Sequence, residues 1–132
     1  MATGLHSAIC VQDLGVDNLT VADGLAVGRS SGFVGKLMEP FMSGCYSLED
    51  WRMHRMLTQL SDCEGLKLEP SALAGMYGSV LVSKDAVLSG YPRAAGLTPE
   101  TMAHATHLVW ATGGSMVPPE EMQHYYEAGK TT

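Results

Sequence analysis

A threonine and a serine bracket a glycine pair at Thr112-Gly-Gly-Ser115, directly after the apolar run His107-Leu-Val-Trp-Ala111. Hydroxyls donate and accept hydrogen bonds, and adjacent glycines let backbone N–H groups come close to an anion, so a small molecule could be held here. The same residues also make an ordinary tight connection between a strand and a helix, and the pattern alone leaves both readings open. Glu69-Pro-Ser71 is a second polar junction. Its Ser71 hydroxyl would stand at a helix N-terminus, where negative charge is favoured; equally, Ser71 could simply cap the helix beside a solvated Glu69.

Other candidate groups reduce to structure more readily. Asp13, Asp17 and Asp23 with Asn18 are spaced too irregularly for a calcium loop, and their Gly and Asn neighbours point to turns. The histidines His6, His54, His104, His107 and His124 include no pair at the separation of a zinc helix, and no Ser-His-Asp or Cys-His arrangement can be argued. Cys10, Cys45 and Cys63 share none of the short spacings that hold zinc or form a redox pair, so reduced thiols and a cytoplasmic setting are expected. The nine methionines fall on apolar helical faces and read as core filling.

These residues need elements to position them. Short extended segments and turns fit the first third of the chain. Phe33, Val34, Leu37, Met38 and Phe41 recur at helical spacing between Ser30 and Met42, predicting a helix with one face on a core, ended or kinked by Pro40. Ser47-Leu-Glu-Asp50 has the form of a capping box, and Met53, Met56, Leu57, Leu60 and Cys63 then form one stripe up to about Glu64, with Gly65 placed to close the helix. Leu66-Lys-Leu68 reads as a short strand and Ala72 to Tyr77 as the start of a buried helix. From Gly78 to Gly96 a short helix followed by an irregular loop is expected. Thr98 before Pro99 should cap a helix to about Ala105, His107 to Ala111 should form a buried strand, and Pro118 to Ala128 a last helix closed by Gly129. Strand, glycine turn and helix together predict an α/β fold with an open sheet, whose ligands sit beyond the carboxyl ends of the strands, at the Thr112 turn.

Length and charge bound the function. At 132 residues the chain suits one domain with no visible internal boundary. Hydrophobic residues make up 45% and charged residues 17%, with a formal charge of -6 and no basic stripe, which argues against a nucleic-acid partner. No basic start precedes an apolar run and no stretch approaches the roughly 18 apolar residues of a membrane span, so no membrane partner is expected either.

Three blocks carry a resemblance. Asp17-Asn-Leu-Thr-Val-Ala-Asp-Gly-Leu-Ala-Val-Gly-Arg29 with Ser31-Gly-Phe-Val-Gly35, then Leu68-Glu-Pro-Ser-Ala-Leu-Ala-Gly75, then Thr106-His-Leu-Val-Trp-Ala-Thr-Gly-Gly114 with Met116-Val-Pro118, resemble bacterial D-serine dehydratases in the same order. The resemblance implies the C-terminal portion of the cofactor-binding large domain of a tryptophan-synthase-β-like (fold-type II) pyridoxal-phosphate enzyme. Such a portion belongs to an open, mostly parallel sheet flanked by helices. The implied reaction is β-elimination of D-serine to pyruvate and ammonia, an ammonia-lyase activity.

By the same resemblance, Thr112 corresponds to the hydroxyl that faces the pyridine nitrogen, with Gly113 and Gly114 as further cofactor-binding positions and Glu69 and Ser71 as candidate cleft-lining residues. The family's imine-forming lysine lies in a Ser-x-Lys segment, and its phosphate loop is a glycine run. Lys36, Lys67, Lys84 and Lys130 have no such context, and Gly113-Gly114 is the only glycine pair. The chain is therefore expected to carry one wall of the cofactor cleft, to need the missing N-terminal part of the enzyme for activity, and to self-associate through surfaces that part would cover. The alternative is a stand-alone binding or interaction protein that reuses half of the fold.

Overall fold

The structure is a computed structural model and describes residues 3–83 and 90–131. It falls into two compact units, one up to Cys45 and one from Tyr46 onward.

The first unit is built from turns. Asp13 accepts from the Cys10 N–H at 2.9 Å, Asp17 from the Leu19 N–H at 3.0 Å and Asp23 from the Gly24 N–H at 2.7 Å. Asn18 donates its side-chain amide to the Ala26 carbonyl at 3.1 Å. The aspartates are thus turn makers, as their Gly and Asn neighbours suggested. Helix α1, Gly32–Met38, starts where the Ser31 hydroxyl accepts from the Val34 N–H. It gives way to a 3-10 turn at Glu39–Phe41 that contains Pro40. One expectation fails here. Phe33, Val34, Leu37, Met38 and Phe41 do not rest on a core but are exposed, and Ala22 and Gly35 are the buried residues described in this unit. So short a stretch has too little apolar surface of its own to close over a helix.

The second unit is a packed helical cluster. Helix α2, Asp50–Glu64, crosses α7, Pro119–Lys130, and also packs on α3, Pro70–Leu73. The apolar stripe read from the sequence is buried or half-buried from Met53 to Leu60, whereas its last member, Cys63, is exposed near the end of the helix. Leu57 and Leu73 are fully enclosed and join Met122 in the core, with Met56, Leu60, Leu68, Val117, Tyr125 and Tyr126 around them. Burying one such leucine is worth about 1.5–3 kcal/mol. Gly65 ends α2 in the left-handed region at φ 68°, as its position predicted. The start differs, because α2 begins at Asp50 with Glu49 in the cap position rather than Ser47. The Glu49 carboxylate turns to Arg52 instead, at 2.8 Å, and that ion pair holds its pKa below the ordinary carboxylate value.

Gly129 also differs from its expected place. It lies inside α7 rather than beyond it, buried against the His54 backbone and the Thr58 hydroxyl of α2. The absence of a side chain lets the two helices approach closely. Thr58 donates to the Tyr126 carbonyl at 2.8 Å, and the Tyr126 hydroxyl donates to Asp62 at 2.7 Å, so polar bonds register the crossing that Leu57 and Met122 drive.

Between these elements run α4, Met76–Val82, α5, Tyr91–Ala94, and α6, Pro99–Ala103. Thr98 caps α6 by accepting from the Thr101 N–H at 3.2 Å, as expected. Part of the Gly78 to Gly96 loop, residues 84–89, lies outside the described residues. No helix among the described residues is long and apolar enough to cross a membrane.

His107 to Ala111 and Leu66 to Leu68 pair with no other strand among the described residues. Leu108 is 92% exposed and Trp110 84%, while Val109 between them reaches towards Gly75. His107 and Ala111 are exposed as well, so the burial expected of this run is not found, and a strand forms only where a neighbour completes its backbone hydrogen bonds.

Candidate functional site

The two polar junctions picked out of the sequence meet. A β-carbon on Gly113 would run into the carboxylate of Glu69, with Cδ at 2.6 Å and Oε2 at 3.0 Å. A β-carbon on Gly114 would lie 2.8 Å from Cα of Leu68, 2.9 Å from the carbonyl oxygen of Lys67 and 3.0 Å from the amide nitrogen of Glu69. Both glycines have positive φ, 68° and 120°, so the turn needs them for its conformation as well as for its contacts.

Each side of this contact is tied to the core. Leu68, immediately before Glu69, and Val117, after the turn, both pack on the Leu57–Leu73–Met122 cluster. The Val117 N–H donates to the Gly114 carbonyl at 3.2 Å, closing the turn onto the approach to α7. Pro70 is buried at the first position of α3 and fixes the backbone on the other side. Val117 and Leu68 carry no chemistry, and the sequence reading gave Leu68 only a place in a short strand and Val117 none beyond the matched blocks. Their part is to hold both junctions to one support.

Thr112 and Ser115 are exposed, and so is the outer side of Gly113. The turn is therefore exposed at Thr112 and Ser115, while its glycines lie against Glu69 and the 67–69 backbone. Ser71 does not have the capping role. Glu69 occupies the cap position of α3, and Ser71 is inside its first turn and partly buried. Glu69 makes no side-chain cap bond; the Ala72 N–H goes to its backbone carbonyl at 3.0 Å. Since α3 has only four residues, its dipole is too small to make the Ser71 end an anion site.

The remaining candidates do not converge here. His104, His107 and His124 are exposed, and the half-buried His54 ring packs on Tyr125 with centroids 5.8 Å apart. No three His, Cys, Asp or Glu side chains gather into a metal site among the described residues.

No protein-family profile matches the chain. It is 55% identical over 130 residues to a probable D-serine dehydratase of Bacillus cereus, an alignment that covers 98% of this chain and 28% of that protein. The D-serine dehydratases of Salmonella arizonae and Citrobacter koseri are 55% and 56% identical over 128 residues, again across 97% of this chain and 28% of theirs. The chain is homologous to bacterial D-serine dehydratases. The resemblance read from the three blocks thus extends across nearly the whole sequence, including the glycine turn and the Glu69 junction. The chain spans a little over a quarter of the length of the D-serine dehydratases it matches.

Thr112 and Gly113 are exposed at this turn, and its two glycines bring no side chain to it. No lysine is among residues 112–115 of the turn.

Proposed function

We propose that this chain supplies the pyridine-ring wall of the cofactor cleft in a pyridoxal-phosphate-dependent D-serine dehydratase, an ammonia-lyase that converts D-serine to pyruvate and ammonia by β-elimination. The observation that supports it is the interlock of Gly113 and Gly114 with residues 67–69, within a chain of which nearly every residue aligns with named D-serine dehydratases. When bound, pyridoxal phosphate supplies the electron sink that makes the amino acid's Cα–H acidic. This chain's residues bind and orient. Thr112 would offer its hydroxyl to the ring nitrogen, Gly113 and Gly114 would admit the ring, and Glu69 and Ser71 would line the cleft behind them.

The reactive lysine and the phosphate loop would come from the rest of the enzyme, so the 132-residue chain alone would be inactive. In the same reading, His107 to Ala111 is a strand of an open, mostly parallel sheet, and the neighbouring strand that Leu108 and Trp110 await belongs to that remainder. Its partners would be the rest of the enzyme and D-serine, in a cytoplasmic setting.

A chimaera tests the reading. In the Citrobacter koseri D-serine dehydratase the matched 128 residues are replaced by those of this chain. The chimaera is expected to bind pyridoxal phosphate and release pyruvate from D-serine. A folded chimaera that binds no cofactor would rule the reading out.

A further inference from the structure

We infer that Glu69 is a positioning residue for the ring-side turn: its carboxylate fills the space that a β-carbon on Gly113 would need, and so fixes the direction in which Thr112 is presented. The inference rests on the cofactor reading above and adds to it a role that Glu69 exerts through Gly113.

The support is geometric. Glu69 stands at the cap position of α3 but makes no side-chain cap bond. The side chain lies instead against Gly113, where the built β-carbon would come within 3.0 Å of Oε2 and closer still to Oε1. The three atoms nearest a β-carbon built on Gly114 are all backbone, from Lys67, Leu68 and Glu69. Backbone that is anchored to the core through Leu68 and braced by buried Pro70 cannot yield. The Glu69 side chain is thus an adjustable part of a seat whose nearest contacts to Gly114 are backbone, and Thr112 is the residue next to Gly113. Its role is shape: a group of this size must occupy the space, and glutamine has the same size.

The contact itself can be read in the 132-residue chain. The Gly113 and Gly114 amide signals should shift in Glu69→Ala, which empties the space against Gly113, and stay close to those of the parent in Glu69→Gln. Glycine signals indifferent to Glu69 would overturn the contact and the inference with it.

Its consequence is read in the chimaera, by the dissociation constant for pyridoxal phosphate and by the absorbance band of the bound cofactor. Glu69→Ala is expected to weaken binding on the order of tenfold or more and to shift the band, since misplacing a contact by an ångström commonly costs that much. Glu69→Gln should stay within about threefold of the parent, or roughly 0.6 kcal/mol, with an unshifted band. If Glu69→Ala leaves both quantities unchanged, or Glu69→Gln fails as badly as Glu69→Ala, the positioning role by shape is wrong. A parent chimaera that folds yet binds no cofactor instead removes the reading on which the role rests, so the two failures are distinct.

Discussion

Gly129 of α7 stands against His54 of α2 so closely that a β-carbon on it would overlap the His54 carbonyl oxygen and the Thr58 hydroxyl. Helices approach this closely only where one of them lacks a side chain, and the main core of the second unit is organised around this crossing. Because the obstacle is mostly backbone, a larger residue must push the helices apart and take Tyr126 away from Thr58.

Gly129→Ala is therefore expected to destabilise the second unit by about 1–3 kcal/mol, the usual cost of forcing a methyl group into a packed site. A urea unfolding curve followed by helical circular dichroism measures it. An unchanged midpoint would mean that α2 and α7 do not cross at this glycine.

Gly114 and Gly65 separate strain from crowding. Both have positive φ, 120° and 68°, but nothing lies within 4 Å of a β-carbon built on Gly65, whereas one on Gly114 meets three backbone atoms at 3.0 Å or less. Gly65→Ala should cost about 1 kcal/mol, from the left-handed conformation alone. Gly114→Ala should cost distinctly more and, in the chimaera, also weaken cofactor binding. Equal costs would show that the turn does not press on residues 67–69.

These contrasts show which parts of the structure could be read from the sequence. The α2 stripe, the Gly65 stop, the Thr98 cap and the aspartate turns were legible because each depends on residues within a few positions of one another. Gly129 was misread as a helix end because its value lies in a partner 75 positions away in the sequence, which local spacing does not reveal. The site was partly legible. Thr112 to Ser115 and Glu69 to Ser71 stood out separately, but their meeting depends on Leu68 and Val117 sharing a core. The exposed stripe of Phe33, Leu37 and Phe41 shows the converse, for helical spacing announces a face that wants burial without saying what buries it.

Alkaline pH should loosen the α2–α7 crossing. The bond to Asp62, followed by burial and the Asp62 charge, raises the Tyr126 pKa, and the bond to Glu127 raises that of Lys130. A group whose folded pKa lies above its unfolded value contributes stability that is complete below the unfolded value and is lost as pH rises through the folded one. Thermal midpoints should accordingly fall above the ordinary tyrosine and lysine values of about 10 and 10.4. Asp62→Asn should shrink the tyrosine part of that fall. The same alkaline slope in Asp62→Asn as in the parent would assign the loss elsewhere.

Leu108 and Trp110 should drive self-association of the isolated chain. Two large exposed apolar side chains on a segment that pairs with no strand among the described residues offer both apolar surface and backbone groups to a second copy. Sedimentation should show a mass that rises with concentration, and Leu108→Lys with Trp110→Lys should restore a monomer. A parent chain that is already monomeric at high concentration would contradict this.

Thr112→Asp in the chimaera tests the chemistry assigned to the turn. A hydroxyl is a poor proton acceptor, so the ring nitrogen beside it stays largely unprotonated, whereas a carboxylate in its place would favour a proton there. With a protonated ring, negative charge at the substrate Cα is held longer, and competing proton transfers gain on departure of the β-hydroxyl. Transamination events per pyruvate released should therefore increase, on the order of tenfold for each unit by which the ring nitrogen's pKa is raised. Pyruvate release and pyridoxamine phosphate accumulation, measured side by side, give the ratio. An unchanged ratio, with cofactor still bound, would mean that Thr112 does not face the ring nitrogen.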